Sequence, residues 1–349
     1  MTRPLPLRIA VDGMGGDGGP SVVVEALRLA LQRLPDLTFL LFGDKKVLEP
    51  LVSGSKVLSE NVTLCHAAEV VLPDMSPVEA LRTLKQSSMR LALEAVKEGQ
   101  ADAAVSAGNT GAYLALAKFV LKTISGVARP AIISTLPTQK GECVFLDLGG
   151  NLECQATHLI DFALMGHVFA RRMLFRNNPR VGLLNVGSES VKGLPRLKSA
   201  AQVLEKILPD FYGFVEGHDL TRGVVDVVVT DGFSGNIALK TGEGVFDLIM
   251  HALRRCFSYS WRNRLAYFFA KPVLKTLKLQ LDPRRYNGAL WIGLEGVAVK
   301  SHGHADALGF SYAVEMAADS VRFELDREIA EVIEKMQTLR EDLVVSKVS

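Results

Sequence analysis

Short apolar runs alternate with longer amphipathic stretches along most of this chain. Residues 7–11, 37–42, 62–65, 101–106, 131–135, 143–148, 180–186, 225–230 and 289–299 are short and apolar, and turn residues bound them. That pattern predicts strands. Apolar positions at helical spacing predict helices from about Pro20, over 77–98, 110–121, 158–175, 194–208 and 237–253, and from 311 onward. Ser76 is placed to cap the 77–98 helix and Gly99 to end it. Such alternation predicts an α/β fold, a three-layer α/β/α sandwich whose largely parallel, Rossmann-like sheet carries helices on both faces. The chain has 349 residues and a 48% apolar share, enough for one large domain, with residues 344–349 expected as a disordered tail.

Five predicted strands end in small polar residues. The first, Asp12-Gly13-Met14-Gly15-Gly16-Asp17, runs into a helix, as does the second, Ser106-Ala107-Gly108-Asn109-Thr110. The third is Asp147-Leu148-Gly149-Gly150-Asn151, and the fourth Asn185-Val186-Gly187 followed by Lys192-Gly193. The fifth is Asp231-Gly232-Phe233-Ser234-Gly235-Asn236. Open α/β sheets bind ligands beyond the carboxyl ends of their strands, so five such loops on one edge would form one cleft. Helix starts there offer free N–H groups to an anion. Gly13 to Gly18 also fits G-x-G-x-x-G, and Asp44 ends the next apolar run, the outline of a dinucleotide fingerprint. Asp12 and Asp17 oppose that reading, because they would face a pyrophosphate.

Lys192 and Asp231 are the salient charges of these loops. No G-x-S-x-G elbow occurs, and no His, Asp and Glu cluster has convincing metal spacing. The expected chemistry is therefore direct transfer between bound substrates, one of them an oxyanion such as phosphate. A net charge of +2 argues against a general polyanion binder. Cys65, Cys143, Cys154 and Cys256 are scattered without a C-x-x-C pair, as expected for free thiols in a reducing cytosol. No leader-like apolar stretch precedes the first strand, and no uncharged run is long enough to span a bilayer.

These loops, together with Lys300-Ser301-His302-Gly303, resemble the bacterial phosphate acyltransferase family (PlsX), with six motifs in family order from about residue 8 to 320. The resemblance implies a fold similar to phosphotransacetylases and to isocitrate- and isopropylmalate-dehydrogenase-type enzymes. It implies that a fatty acyl thioester of acyl carrier protein and inorganic phosphate give acyl phosphate and free carrier. A membrane glycerol-3-phosphate acyltransferase (PlsY) would use the product in phospholipid synthesis. It implies a homodimer with no nicotinamide cofactor and no obligatory metal. By the same likeness Lys192, Asp231 and Asn236 form the catalytic centre. Asp12, Gly15, Gly16, Asp17, Ser106, Gly108, Asn109, Thr110, Asn151, Gly187, Gly232, Gly235 and His302 are expected to bind substrate or phosphate. Gly150, His218 and His304 depart from the family pattern; at His218 the family carries a permanent cation. A dehydrogenase of related fold and a non-catalytic scaffold are the rival readings.

Residues 251–285 differ from the rest. Nine basic residues stand there against Asp282 alone, a net +8 in a chain of +2. Arg254, Arg255, Arg262, Arg264 and Lys271 are interleaved with Trp261, Phe268 and Phe269, and Pro272 is expected to divide the segment into two helices. A protruding basic amphipathic segment of this kind suits an anionic membrane surface or an acidic carrier protein, which predicts a cytoplasmic protein held peripherally at the inner membrane face. No nucleic-acid module is recognisable.

Overall fold

A computed structural model of the chain describes residues 6–280 and 282–345. Eleven strands form one sheet: β1 Leu7–Asp12, β2 Leu37–Gly43, β3 Val62–His66, β4 Ala103–Ser106, β5 Ala131–Thr138, β6 Gly141–Leu146, β7 Val181–Leu184, β8 Phe211–Val215, β9 Val227–Val229, β10 Ala289–Ile292 and β11 Val297–Lys300. Their order is β3-β2-β1-β4-β11-β10-β5-β6-β9-β7-β8. The first five and the last four are parallel blocks. Between the blocks, β10 pairs antiparallel with both β11 and β5, and β5 with β6. Strand direction therefore reverses from one block to the other. The 289–299 run is not one strand but a hairpin, because Gly293 (φ 92°) and Gly296 (φ 154°) turn the chain where a side chain would be strained.

The described residues form twelve helices: α1 Gly19–Arg33, α2 Lys45–Ser53, α3 Lys56–Asn61, α4 Pro77–Thr83, α5 Ser88–Lys97, α6 Thr110–Leu121, α7 Ala156–Met173, α8 Pro195–Ile207, α9 Gly232–Ser258, α10 Trp261–Gln280, α11 Ala307–Arg322 and α12 Leu325–Val345. The predicted 77–98 helix is two helices. Ser76 caps the first as expected, its side chain accepting from Glu79 N–H. Glu69 then draws the chain out of the helix, its carboxylate accepting from Gln86 N–H at 2.7 Å and its N–H donating to Gln86 C=O. The predicted C-terminal helix likewise breaks before α12, at Glu324 (φ 50°). Residues 344 and 345 lie in α12, and 346–349 lie outside the described residues.

Period-2 alternation divides the core between the two faces. Leu7, Ile9, Val11 and Val105 point into one apolar layer, under α1, α7, α8, α11 and α12. Ala10 and Ala104 point into the other, under α5 and α6. Phe162 and Phe169 of α7 are fully buried in the first layer. Phe162→Ala is expected to lower the unfolding free energy by about 3–5 kcal/mol. A denaturant midpoint equal to that of the parent chain would contradict this packing.

Candidate active site

The reversal of strand direction decides where the five loops go. The carboxyl ends of β1, β4 and β11 share one edge of the sheet, whereas those of β6, β9 and β7 are at the opposite edge. A single shared edge is therefore corrected to two groups of loops. Strand twist of about 20° per step adds up to about 100° between β4 and β9, so the two edges are not back to back.

In the first group, Asp12 is buried and accepts from the Ser88 hydroxyl at 2.6 Å, the Ser106 hydroxyl at 2.7 Å and Met14 N–H at 3.2 Å. Ser106 also accepts from Gly108 N–H at 3.0 Å. Asn109 caps α6 through Ala112 N–H, and its amide donates to the Pro73 and Met75 carbonyls. The polar groups of Asp12, Ser106 and Asn109 thus hold the loops in place. The glycines serve close approach: a Cβ on Gly15 would sit 2.7 Å from both Asp12 Oδ2 and Gly108 N, and Gly16 has φ 90°. Thr110 starts α6 and is exposed. Asp17 N–H donates to Gly303 C=O at 2.9 Å, and the Asp17 carboxylate meets His304 Nδ1.

The second group is built on Asp147. This fully buried carboxylate accepts from the N–H groups of Ile132, Gly149, Gly150 and Asn151, with burial raising its pKa against those bonds. The Asn151 amide donates to Asp147 and to Pro130 C=O, so Asn151 braces the loop. Gly232 N–H donates to Asn151 C=O at 2.7 Å, and a Cβ on Gly235 would overlap the Asp147 carbonyl. The 147–151 and 231–236 loops therefore meet backbone to backbone. Asp231 caps α9, its Oδ1 accepting from Ser234 N–H at 2.8 Å, and its Oδ2 pairs with Arg196 Nη2 at 2.8 Å. Asn236, one turn along α9, is exposed and donates only weakly, at 3.4 Å, to Leu148 C=O.

Lys192 lies on the loop after β7, whose backbone Asn185 holds by donating to Lys192 C=O at 3.3 Å. Gly187 lies against the Lys192 side chain. The ammonium is half exposed and pairs with Glu189 at 2.7 Å, which raises the lysine pKa and lowers that of the glutamate. Arg196, on the first turn of α8, joins this loop to Asp231. Arg196 was missed from sequence, although a cation at a helix start, where the dipole disfavours it, was a readable signal. Leu152, Val186 and Val191 on these loops, and Phe233 and Ile237 on the first turns of α9, are exposed apolar side chains. Cys154 is buried, and burial, then Asp147 and Asp231, push its thiol up to about 12.

α9 connects the two groups. It starts at Asp231, and Lys240 and Glu243 further along it act electrostatically on His302. Lys240 is four residues beyond Asn236, about 6 Å of helix. His302 is reached by solvent, yet crowding, then Lys240, hold its pKa below the ordinary histidine value. Neighbouring Lys300 is 7% exposed, donates to Ser301 C=O and lies within the fields of Asp12 and Asp17.

The 251–285 segment does not divide at Pro272. The break falls between α9 and α10, where Ser260 accepts from Asn263 N–H and the Asn263 amide donates to Cys256 C=O; Pro272 lies inside α10. Arg254, Arg255, Trp261, Arg262, Arg264, Phe268, Phe269 and Lys271 are all exposed. Arg284 belongs elsewhere, paired with Asp282 and Asp306. Among the described residues no helix is long and apolar enough to cross a membrane.

The fold is that of the phosphotransacetylase-type α/β enzymes. A phosphotransacetylase from Streptococcus pyogenes superposes with a TM-score of 0.61 at 17% identity, covering 90% of this chain and 94% of that one. A branched-chain phosphotransacylase from Enterococcus faecalis V583 gives 0.54 at 14% identity, covering 90% and 99%. Residues 7–326 match a family model described as fatty acid synthesis protein. A phosphate acyltransferase of Rhodospirillum rubrum is 50% identical over 342 residues, 97% of this chain and 98% of that relative. One of Acidiphilium cryptum is 51% identical over 315 residues, 90% and 83%. The chain belongs to the bacterial phosphate acyltransferase (PlsX) family, and it is an enzyme of that kind.

Lys300 gives the first group a measurable signature. Burial lowers its pKa to about 8, against the raising effects of Asp12 and Asp17. Below that value both folded and unfolded chains hold the proton, and the burial penalty is fully present. Above it the unfolded chain binds more protons, so this residue's contribution to stability rises with pH until the unfolded lysine titrates. The stability advantage of Lys300→Met over the parent should therefore shrink by about 2 kcal/mol between about pH 7 and about pH 9.5, by denaturant unfolding. A constant difference would contradict the buried ammonium.

Proposed function

We propose that this enzyme transfers a fatty acyl group from acyl carrier protein to inorganic phosphate, and that Lys192, Asp231 and Asn236 carry the reaction. The observation behind this reading is the convergence of the loops after β6, β7 and β9, with Arg196 linking the Lys192 loop to Asp231. A phosphate oxygen attacks the thioester carbonyl carbon. The C–O bond forms, the C–S bond breaks, and the carrier leaves as a thiolate that takes a proton from solvent. Lys192 offsets negative charge on the tetrahedral oxygen, and the loosely held Asn236 amide donates to it. Asp231 orients the phosphate. The exposed apolar side chains of Leu152, Val186, Val191, Phe233 and Ile237 suit the acyl chain. Further along α9, beyond Asn236, the Asp17, Gly303 and His302 loops would border the bound carrier or substrate.

In this reading the acyl phosphate passes to a membrane glycerol-3-phosphate acyltransferase, and the enzyme works as a cytoplasmic homodimer at the inner membrane face. Exposed basic and aromatic side chains on α10 and the end of α9 support contact with an anionic bilayer or with the acidic carrier.

Lys192→Ala should remain folded and lose about a hundredfold in phosphate-dependent release of carrier thiol. Normal turnover in a folded variant would exclude the lysine. Liposome flotation tests the surface: anionic vesicles should carry the protein, and Trp261→Glu should weaken that recovery. Equal recovery with neutral and anionic vesicles, unchanged in the variant, would count against membrane contact.

A further inference from the structure

Arg196 has an incomplete set of partners. Its Nη2 donates to Asp231 Oδ2 at 2.8 Å, but the other carboxylate oxygen is taken by Ser234 N–H at the start of α9. Asp231 thus makes a single bond to the guanidinium and not the usual two-bond fork. The Arg196 Nε is buried without an acceptor. Buried donors are normally satisfied, and leaving one unmade is costly. The end of the side chain stays open, with 35% of its surface exposed. The residue also sits on the first turn of α8, where the helix dipole disfavours a cation. Neither helix stability nor a completed ion pair accounts for it.

We propose that Arg196 is a phosphate-binding residue of the transfer site, held by Asp231 through one N–H and presenting the N–H groups of its open guanidinium end to the attacking inorganic phosphate. The proposal rests on the reading of the Lys192, Asp231 and Asn236 group as the place of transfer. An oxyanion with several oxygens matches the planar guanidinium better than it matches an ammonium. The guanidinium also lies between two anions, Asp231 and phosphate, that would otherwise repel. Lys192 is then left for the oxygen of the thioester carbonyl, so the two cations of this loop have separate targets.

The test is steady-state kinetics of Arg196→Gln and Arg196→Lys, with inorganic phosphate and acyl carrier protein varied in turn. Arg196→Gln should raise the phosphate KM at least about tenfold and leave the carrier KM unchanged, with Arg196→Lys intermediate. A lower kcat at unchanged phosphate KM would overturn the proposal and reduce Arg196 to a clamp on Asp231. Thermal unfolding adds a reading independent of turnover: phosphate should raise the melting temperature of the parent and raise that of Arg196→Lys less. Equal shifts would also overturn it. A parent enzyme that releases no carrier thiol with phosphate present would instead refute the transfer reading itself.

Discussion

The Asp231 carboxylate is divided between two partners, and the candidate site depends on that division. One oxygen caps α9 and fixes where the helix starts, which sets the position of Asn236 one turn along. The other holds Arg196 and with it the first turn of α8, so the loop that carries Lys192 cannot drift from the loop after β9. Two helices and two loops are thus registered by one side chain. Beneath them, Asp147 does similar work for the backbone, gathering four N–H groups around a buried carboxylate. Burial of such a charge is tolerable only because it is so fully hydrogen-bonded.

The second constraint is topological. Antiparallel pairing through β10 and β5 turns one parallel block against the other, so the strand ends form two groups of loops. α9 spans the distance between them, with Asp231 at its start and Lys240 and Glu243 beside His302 further along. One group is mostly braced inward, through Asp12, Ser106 and Asn109. The other leaves Lys192 and Asn236 facing solvent. That difference is what favours the second group as the place of transfer in the proposed reading.

Much of this was readable from residue order. The strands at 7–12, 37–43 and 62–66 and the helix Thr110–Leu121 follow directly from apolar periodicity and flanking caps, because local pattern and tertiary packing agree there. The hairpin between β10 and β11 was not, since its glycines act through positive φ and not through hydropathy. Strand direction was not readable either: it depends on long-range pairing between residues 131–146 and 289–300. The glycine-rich loops signalled a special region correctly in kind, but several of their polar side chains hold backbone instead of facing outward. Arg196 was overlooked because its meaning comes from Asp231, 35 positions away.

In the proposed reading phosphate itself attacks and no acyl-enzyme lies on the path; Cys154, a thiol near this site, is buried, and burial, Asp147 and Asp231 push its pKa up to about 12. Acyl exchange between carriers tests this most directly. The enzyme is mixed with acyl carrier protein, labelled free carrier and no phosphate, and movement of the acyl group onto the labelled carrier is followed. Direct transfer predicts no exchange until phosphate is added. Exchange in its absence would mean that the acyl group rests on the protein, and the account would be wrong.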